Sequence, residues 1–517
     1  MSSWHGPIAV FVAIVVAGLG GWLLLRGDDG SQSQPAELGG EDGSGRASFD
    51  VESFDPFAWK PERDRDLLER GADGLAHVLY VKSPGGVGQT AERTLRFEDE
   101  IKAAAERHGV DARTLEALIF LESAGRVDVI AGEDPEAAVG LGQILPGTAT
   151  DLLGMEVDLE RSKQLTRSIA RNQKRANTSE SEEKRRKAGR AAIRAQAERR
   201  EIDERFDPEQ AIDGAARYLA IAKKRFGSDD LAATSYHMGI GNLEHVIETY
   251  VSPRPLRGST RETVRAYGIT WPRLYFDSSP KDNPETDKTL KQFADDSRFY
   301  TFRLEAAREI LRLYREDSEE LDHLNELQNT KASAEEVLRP REDNEPYEDA
   351  GDLQAAYDDG ELVPLPDDAA RLGFRIDPKM GEFAPRLDQK PSLYRGLRPD
   401  ALATLLFIAK ELRRLSGDDA RLRVTSTVRD QDYQDLLVGA NNQATSDFSL
   451  HTAGYAFDIT AAFRSKRRRA ALIHILERLR AQRVLDYVFE PGAIHVTAGP
   501  DAERLLPMLE TVRTRQP

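Results

Sequence analysis

The hydrophobic and polar positions divide the central part of the chain into helical stretches. Residues 97–110 (FEDEIKAAAERHGV) and 111–125 (DARTLEALIFLESAG) place apolar residues three and four apart, as on one face of a helix. Asp111 precedes the second stretch and is well placed to cap its first turn. Residues 299–324 show the same periodicity. We therefore expect a mainly α-helical region here.

The C-terminal part of the chain has a different pattern. Residues 401–415 (ALATLLFIAKELRRL) predict an amphipathic helix, and residues 422–428 (LRVTSTV) a short strand. Residues 455–463 (YAFDITAAF) and 487–498 (YVFEPGAIHVTA) also alternate as strands do. Mixed helix and strand signals of this kind predict a compact α+β domain.

The N-terminal segment is uniformly apolar. Residues 7–25 (PIAVFVAIVVAGLGGWLLL) contain no charge, and their 19 residues are about the length that spans a bilayer. The alternative is a cleaved signal peptide, but the first residues contain no Lys or Arg and no A-x-A-like site follows. We expect residues 1–26 to form a retained transmembrane anchor and residues 27–60 a flexible linker.

Charged stretches suggest the remaining boundaries. Residues 159–204 are dense in Arg, Lys, Glu and Ala and predict a solvated helical hairpin inserted into the helical domain at 61–328. The alternative for this insertion is a basic surface for anionic wall polymers. Residues 329–374 are rich in Glu, Asp and Pro and predict an acidic linker before a domain at 375–517. The chain is thus expected to be multi-domain.

Bulk composition excludes some classes of function. At 517 residues the chain is too long for one ordinary core, and its net charge of -17 argues against a nucleic-acid partner. The absence of cysteine excludes a disulfide framework, cysteine-ligated zinc and a lipid-anchoring cysteine.

Glu122 is the candidate acid of the helical region. Cleavage of a glycosidic bond needs a carboxylic acid that protonates the leaving oxygen, and partial burial at the end of an apolar helix raises a carboxyl pKa. Glu122-Ser123 is followed by AVGLGQILPGTA (138–149), FDPEQAIDGAARYLA (206–220) and LAATSYHMGIGNLEHV (231–246). From about Phe97 to Tyr250 this series resembles the soluble lytic transglycosylase family, whose signatures are Glu-Ser, Gly-Leu-Met-Gln with Pro-x-Thr-Ala, and Tyr-Asn-Ala-Gly.

This resemblance implies a lysozyme-like helical fold and a cofactor-free reaction. Glu122 would act first as general acid and then as base, while the C6 hydroxyl of muramic acid attacks internally and leaves a 1,6-anhydro sugar. Ser123 and Gln143 would help to hold the substrate, and Tyr236 would support Glu122 or the sugar. The sequence departs from the family at Gly142, which replaces Met, and at Tyr236-His237-Met238-Gly239, where we give His237 no catalytic role.

A second set of candidate residues lies in the C-terminal region. Catalytic zinc takes three protein ligands and leaves a position for water. His451 and Asp458 are seven residues apart, and His495 follows on a predicted strand, whereas His474 is expected to be an ordinary polar residue.

The sequence around His451 and Asp458 resembles the signature of a known peptidase family. Residues 449–458 match every fixed position of Ser-x-His-x-x-Gly-x-Ala-x-Asp, the signature of VanY-type D-alanyl-D-alanine carboxypeptidases, and residues 426–429 with Gln434 resemble an upstream segment of the same family. The likeness covers about Leu393 to Thr497. It implies an α+β zinc-peptidase-like domain.

The resemblance also implies roles for the site residues. His451, Asp458 and His495 would hold Zn²⁺. Arg429, Gln434 and Ser449 would bind substrate, since a guanidinium suits a carboxylate. The family's general base stands three residues before the last His, which is Gly492 here. The candidate base is therefore Glu490, and a zinc-binding domain with little or no peptidase activity stays an alternative.

Both resemblances point to peptidoglycan as the partner. The sequence predicts a membrane-anchored lytic transglycosylase of the cell envelope with a zinc D,D-carboxypeptidase or endopeptidase domain, both domains facing the wall. One alternative is a non-catalytic peptidoglycan-binding or scaffold protein, and another is a metallopeptidase whose helical domain only grips glycan. The sequence does not indicate which protein partners it has.

Overall fold

The computed structural model of the protein describes residues 50–293, 296–330, 334–417, 419–440, 448–463 and 465–510. Within these ranges no helix is both long enough and apolar enough to cross a bilayer. The predicted membrane anchor at residues 1–26 and linker residues 27–49 lie outside the described residues.

The first domain consists of helices. They are α1 Asp64–Leu75, α2 His77–Lys82, α3 Val87–Leu95, α4 Glu98–His108, α5 Ala112–Ser123, α6 Leu159–Thr178, α7 Glu182–Ile202, α8 Pro208–Phe226, α9 Asp229–Met238, α10 Ile240–Val251, α11 Thr260–Tyr267, α12 Trp271–Phe276, α13 Pro284–Gln292, α14 Tyr300–Glu316 and α15 Ser318–Thr330. The predicted mainly helical character of this region is confirmed.

Helix α5 lies at the centre of this domain. The Asp111 side chain accepts a hydrogen bond from the Thr114 N–H and caps the helix, as predicted. Leu115, Leu118 and Ile119 are fully buried in the core that α5 forms with α4, α8 and α14. Helix α5 is therefore a rigid support for the residues at its C-terminal end.

Residues 159–202 form an antiparallel pair of long helices, α6 and α7. A small apolar seam of Leu165, Ile169 and Ala195 joins them. Arg199, near the C-terminal end of α7, connects this helix pair to the rest of the domain: its guanidinium donates to Asp128 at 2.8 Å.

The second domain combines helices with a small sheet, as predicted. Its elements are α16 Ala334–Leu338, α17 Ala350–Asp358, β1 Val363–Pro364, β2 Phe374–Ile376, β3 Gly396–Leu397, α18 Pro399–Ser416, β4 Leu422–Ser426, α19 Gln431–Ala440, β5 Ala456–Thr460, α20 Lys466–Arg480, β6 Leu485–Glu490 and β7 Ala493–Ala498. Strands β2, β4, β5, β7 and β6 form a five-stranded sheet in that order, in which only β2–β4 is parallel.

The acidic segment predicted as a linker contributes to this second domain where the structure describes it. Tyr347, Leu353 and Leu362 are buried in one apolar cluster with side chains of the domain. Residues 50–60, the described part of the predicted flexible linker, also pack onto this domain: Phe57 is fully buried and packs edge-on against Phe407 of α18, with the ring centroids 6.2 Å apart. A few well-spaced apolar residues are enough to fix an otherwise polar segment onto a core.

The two domains also contact each other through ion pairs. Arg70 of α1 pairs with Asp501 at 2.6 Å, and Arg298 pairs with Glu477 of α20 at 2.8 Å. His474 of α20, expected to be an ordinary polar residue, lies 3.2 Å from Asp287 of α13. The helical domain is therefore held against α20 and the C-terminal segment of the second domain.

Candidate active site and metal centre

Glu122 lies in the last turn of α5 and is half-buried. Burial raises its pKa above the ordinary glutamic acid value, although the nearby His237 and a hydrogen bond from Tyr300 oppose this. The Tyr300 hydroxyl donates to Glu122 Oε1 at 2.8 Å. A carboxyl with a raised pKa keeps its proton at higher pH than an exposed one, which a general acid requires.

Tyr300 is a site residue that the sequence reasoning missed. It is the first residue of α14, is 6% exposed, and stacks on His237 with ring centroids 5.1 Å apart. His237 Nδ1 in turn lies 2.8 Å from the Ser297 hydroxyl. The sequence marks Tyr300 only as a tyrosine near the start of a predicted helix. Its contact with Glu122 depends on tertiary packing and could not be predicted.

The glycine-rich loop lies beside this pair. Gly140 has a φ of 74°, and a Cβ there would be 1.8 Å from the Arg205 carbonyl oxygen, so no other residue fits. The Tyr236 hydroxyl donates to the Gly142 carbonyl at 2.7 Å. A Cβ at position 142 would lie 3.0 Å from that hydroxyl, so glycine in place of the family's Met accommodates Tyr236 closely.

The predicted substrate-binding residues of this domain differ in their surroundings. Burial, and then the negative charge of Glu122, raise the pKa of Tyr236 well above its ordinary value. The Gln143 amide donates to the Gly140 carbonyl at 2.9 Å, which braces the loop. Ser123 is 1% exposed, and its hydroxyl donates to the Ile119 carbonyl at 3.0 Å within α5. The charge of Glu122 thus acts on Tyr236, and Gln143 supports the glycine-rich loop. The Ser123 hydroxyl, in contrast, is used in a hydrogen bond within α5.

In the second domain the structure brings the three predicted metal ligands together. One donor atom each from His451, Asp458 and His495 lies within 4.8 Å of the other two. Strands β5 and β7 place Asp458 directly opposite His495, and His451 comes from the turn before β5. The three side chains are between 3% and 12% exposed.

The donor set fits a metal ion. His451 Nδ1 lies 2.8 Å from the Thr427 carbonyl, so this nitrogen carries the proton and Nε2 is left free to coordinate. Nε2 is 3.2 Å from Asp458 Oδ1, on the side of the other two donors. Burial lowers the His451 pKa to about 4, which keeps the ring neutral as a ligand must be. Two imidazoles and a carboxylate suit zinc.

Arg429 lies against this cluster. Its guanidinium donates to Gln434 Oε1 at 2.9 Å and to the Ser426 hydroxyl at 2.7 Å, and it lies 3.4 Å from Asp458 Oδ2. The arginine is thus held in one orientation beside the three donors. Ser449 is 9% exposed, and its carbonyl accepts the Thr452 hydroxyl at 2.6 Å, which closes the turn that carries His451.

Glu490 is the last residue of β6 and is exposed. It pairs with Ala493 of β7, and Val488 pairs with His495. Directly paired residues of antiparallel strands share a sheet face, and so do residues two apart on one strand. The Glu490 side chain therefore leaves the strand on the same sheet face as His495, two positions closer to the turn. Its negative charge also acts on the Arg429 guanidinium.

A comparison with protein-family models found a match within the helical domain. Residues 184–253 match the family model described as the transglycosylase SLT domain. The match runs from α7 to the residues after α10 and includes Tyr236 and His237, whereas Glu122 and the glycine-rich loop precede it. No curated protein matches the chain. The match supports the lytic transglycosylase part of the sequence resemblance and concerns the helical domain alone.

Proposed function

We propose that this protein is a peptidoglycan lytic transglycosylase that cleaves the bond between N-acetylmuramic acid and N-acetylglucosamine and leaves a 1,6-anhydro end. The observation that carries the proposal is the setting of Glu122. Its carboxyl has a raised pKa, accepts a hydrogen bond from Tyr300, and acts on the charge state of Tyr236, whose hydroxyl donates to Gly142 of the glycine-rich loop. The same helical domain carries the transglycosylase SLT match.

The proposed reaction uses Glu122 twice. The protonated carboxyl donates its proton to the glycosidic oxygen as the bond from that oxygen to C1 of muramic acid breaks. The C6 hydroxyl of the same sugar then forms the new bond to C1 and gives its proton to the Glu122 carboxylate. Glu122 ends protonated again, and no water is consumed. Tyr300 stabilises the carboxylate between the two transfers by its hydrogen bond.

For the second domain we propose Zn²⁺ bound by His451, Asp458 and His495, acting on the peptide stems of the same polymer. When bound, zinc supplies Lewis acidity toward a peptide carbonyl and lowers the pKa of a water. Arg429 would hold a substrate carboxylate, and Glu490 would accept the proton from the attacking water. The support is the convergence of the three donors and the fixed guanidinium beside them.

A metal-binding domain without peptidase activity is the second candidate for this region. It is favoured by the exposure of Glu490 at the end of β6, next to Pro491. A general base has to reach the attacking water at hydrogen-bond distance, and an exposed side chain at the edge of a tight turn is poorly fixed for that task.

We further propose that the protein is anchored in the cytoplasmic membrane, with both domains facing the wall. The support is the uncharged segment 7–25 in the sequence and the nature of the proposed substrate.

The test is mass spectrometry of peptidoglycan digested by the full-length protein, by Glu122→Gln and by His451→Ala. The proposal expects 1,6-anhydro muropeptides from the wild type and from His451→Ala, but not from Glu122→Gln. Stem-peptide cleavage should be lost in His451→Ala alone, so each variant is the control for the other activity. A wild-type protein that binds the polymer and releases no product would support a non-catalytic scaffold instead.

A further inference from the structure

A short 3₁₀ turn, Asp296–Phe299, lies between the Glu122 site and the second domain. On one side, the Ser297 hydroxyl lies 2.8 Å from His237 Nδ1, and the next residue after the turn is Tyr300. On the other side, Arg298 donates to Glu477 Oε1 at 2.8 Å. Glu477 belongs to α20 of the second domain, so the turn is held from both domains.

The contact with α20 is partly shielded from solvent. The side chains of Arg298 and Glu477 are 20% and 18% exposed, and Ser297 is 1% exposed. The Arg298 guanidinium also lies 4.7 Å from the centre of the Phe299 ring, which packs edge-on against Tyr275. A charge-assisted hydrogen bond in such a place has less competition from water than one on an open surface, and it restricts the side chains that it joins.

We propose that Glu477 is a positioning residue for the glycan-cleaving site. By holding Arg298 it fixes the 296–299 turn, and the turn sets the place of Tyr300, whose hydroxyl donates to Glu122 at 2.8 Å. The second domain thereby completes the first domain's site without contacting substrate there. This inference rests on the proposed transglycosylase function.

The interface provides a matched control for this proposal. Arg70 and Asp501 also form an ion pair between the two domains, at 2.6 Å, with side chains 22% and 24% exposed. That pair joins α1 to the C-terminal segment and does not include the 296–299 turn. Asp501→Asn therefore removes the negative charge from a similar interdomain contact and weakens it, whereas Glu477→Gln does the same to the contact that holds the turn.

The experiment measures release of 1,6-anhydro ends from soluble peptidoglycan strands by the full-length protein. We expect Glu477→Gln to lower kcat by about tenfold or more, because small displacements of catalytic groups are costly, with KM within about twofold. Asp501→Asn should stay within about twofold of the wild type in both constants. The exchange Arg298→Glu with Glu477→Arg should restore most of the kcat, and thermal unfolding should show all variants folded. Equal losses in Glu477→Gln and Asp501→Asn, or no loss in either, would overturn the proposal.

A second measurement does not depend on activity. With 3-fluorotyrosine introduced at position 300, the ¹⁹F resonance reports the surroundings of that ring. We expect Glu477→Gln to shift the resonance and Asp501→Asn to leave it unchanged. If the wild type releases no 1,6-anhydro product, the proposed function fails, and the ¹⁹F result still decides whether Glu477 positions Tyr300. An unchanged resonance in Glu477→Gln would refute that role.

Discussion

Tyr300→Phe removes one hydrogen bond from the proposed general acid and little else. The ring is 6% exposed and keeps its packing against His237, while the hydroxyl that donates to Glu122 at 2.8 Å is lost. A hydrogen bond to a charged group contributes about 1.5–3 kcal/mol. If that amount is lost from the step in which Glu122 carries a negative charge, kcat falls by about 10-fold to 150-fold.

Tyr300→Phe should also shift the pH dependence of kcat in a definite direction. Burial raises the Glu122 pKa, and the Tyr300 hydrogen bond, which favours the carboxylate, opposes it. Without the hydroxyl the pKa rises further. Since the proposed acid is active when protonated and loses activity as the pH rises through its pKa, the alkaline limb of the kcat profile should move to higher pH.

The assay is the release of 1,6-anhydro ends by the full-length protein over a range of about pH 4 to pH 8, which brackets ordinary and raised carboxyl pKa values. The control is Tyr218→Phe, because the buried Tyr218 hydroxyl donates to the Ser235 carbonyl at 2.7 Å rather than to Glu122. An alkaline limb that stays in place in Tyr300→Phe, or moves to lower pH, would refute the reasoning. So would an equal shift in Tyr218→Phe.

Three further predictions concern the support of the two sites. Asp203→Asn should lower the unfolding free energy of the helical domain by about 3–5 kcal/mol in urea denaturation, because it leaves the fully buried Arg205 without its carboxylate. A change under about 1 kcal/mol would contradict this. Gly140→Ala should destabilise the helical domain by at least about 1–2 kcal/mol in the same assay and reduce glycan cleavage, because residue 140 has a φ of 74° and no room for a Cβ. A variant as stable as the wild type would argue against the loop geometry. His451→Ala should lose zinc measured by plasma mass spectrometry of the purified protein, and zinc retained at the wild-type ratio would exclude this ligand.

Local patterns in the sequence were enough to predict the elements that carry both sites. The cap at Asp111 and the apolar spacing of α5 are local features, and both are present in the structure. The alternation in residues 487–498, interrupted by Pro491 and Gly492, likewise predicted strands that form the β6–β7 hairpin. Elements set by short-range periodicity and turn chemistry can be predicted in this way.

Features set by packing between distant residues could not be predicted in this way. Tyr300 is 178 positions from Glu122, and nothing in its own helix distinguishes it from other buried tyrosines. The acidic composition of residues 329–374 predicted a linker because the charges outnumber the few apolar side chains. Leu353 and Leu362 are nonetheless buried against the second domain, since burial depends on where each residue lies rather than on average composition.

The most direct test of the central claim is to digest peptidoglycan with the full-length protein in H₂¹⁸O and to analyse the new glycan ends by mass spectrometry. Because the proposed reaction uses the muramic acid C6 hydroxyl in place of water, we predict ends that are one water lighter than a hydrolysed sugar and carry no ¹⁸O. New reducing ends that contain ¹⁸O would show hydrolysis instead. They would contradict the proposed role of Glu122 as acid and base for an internal attack.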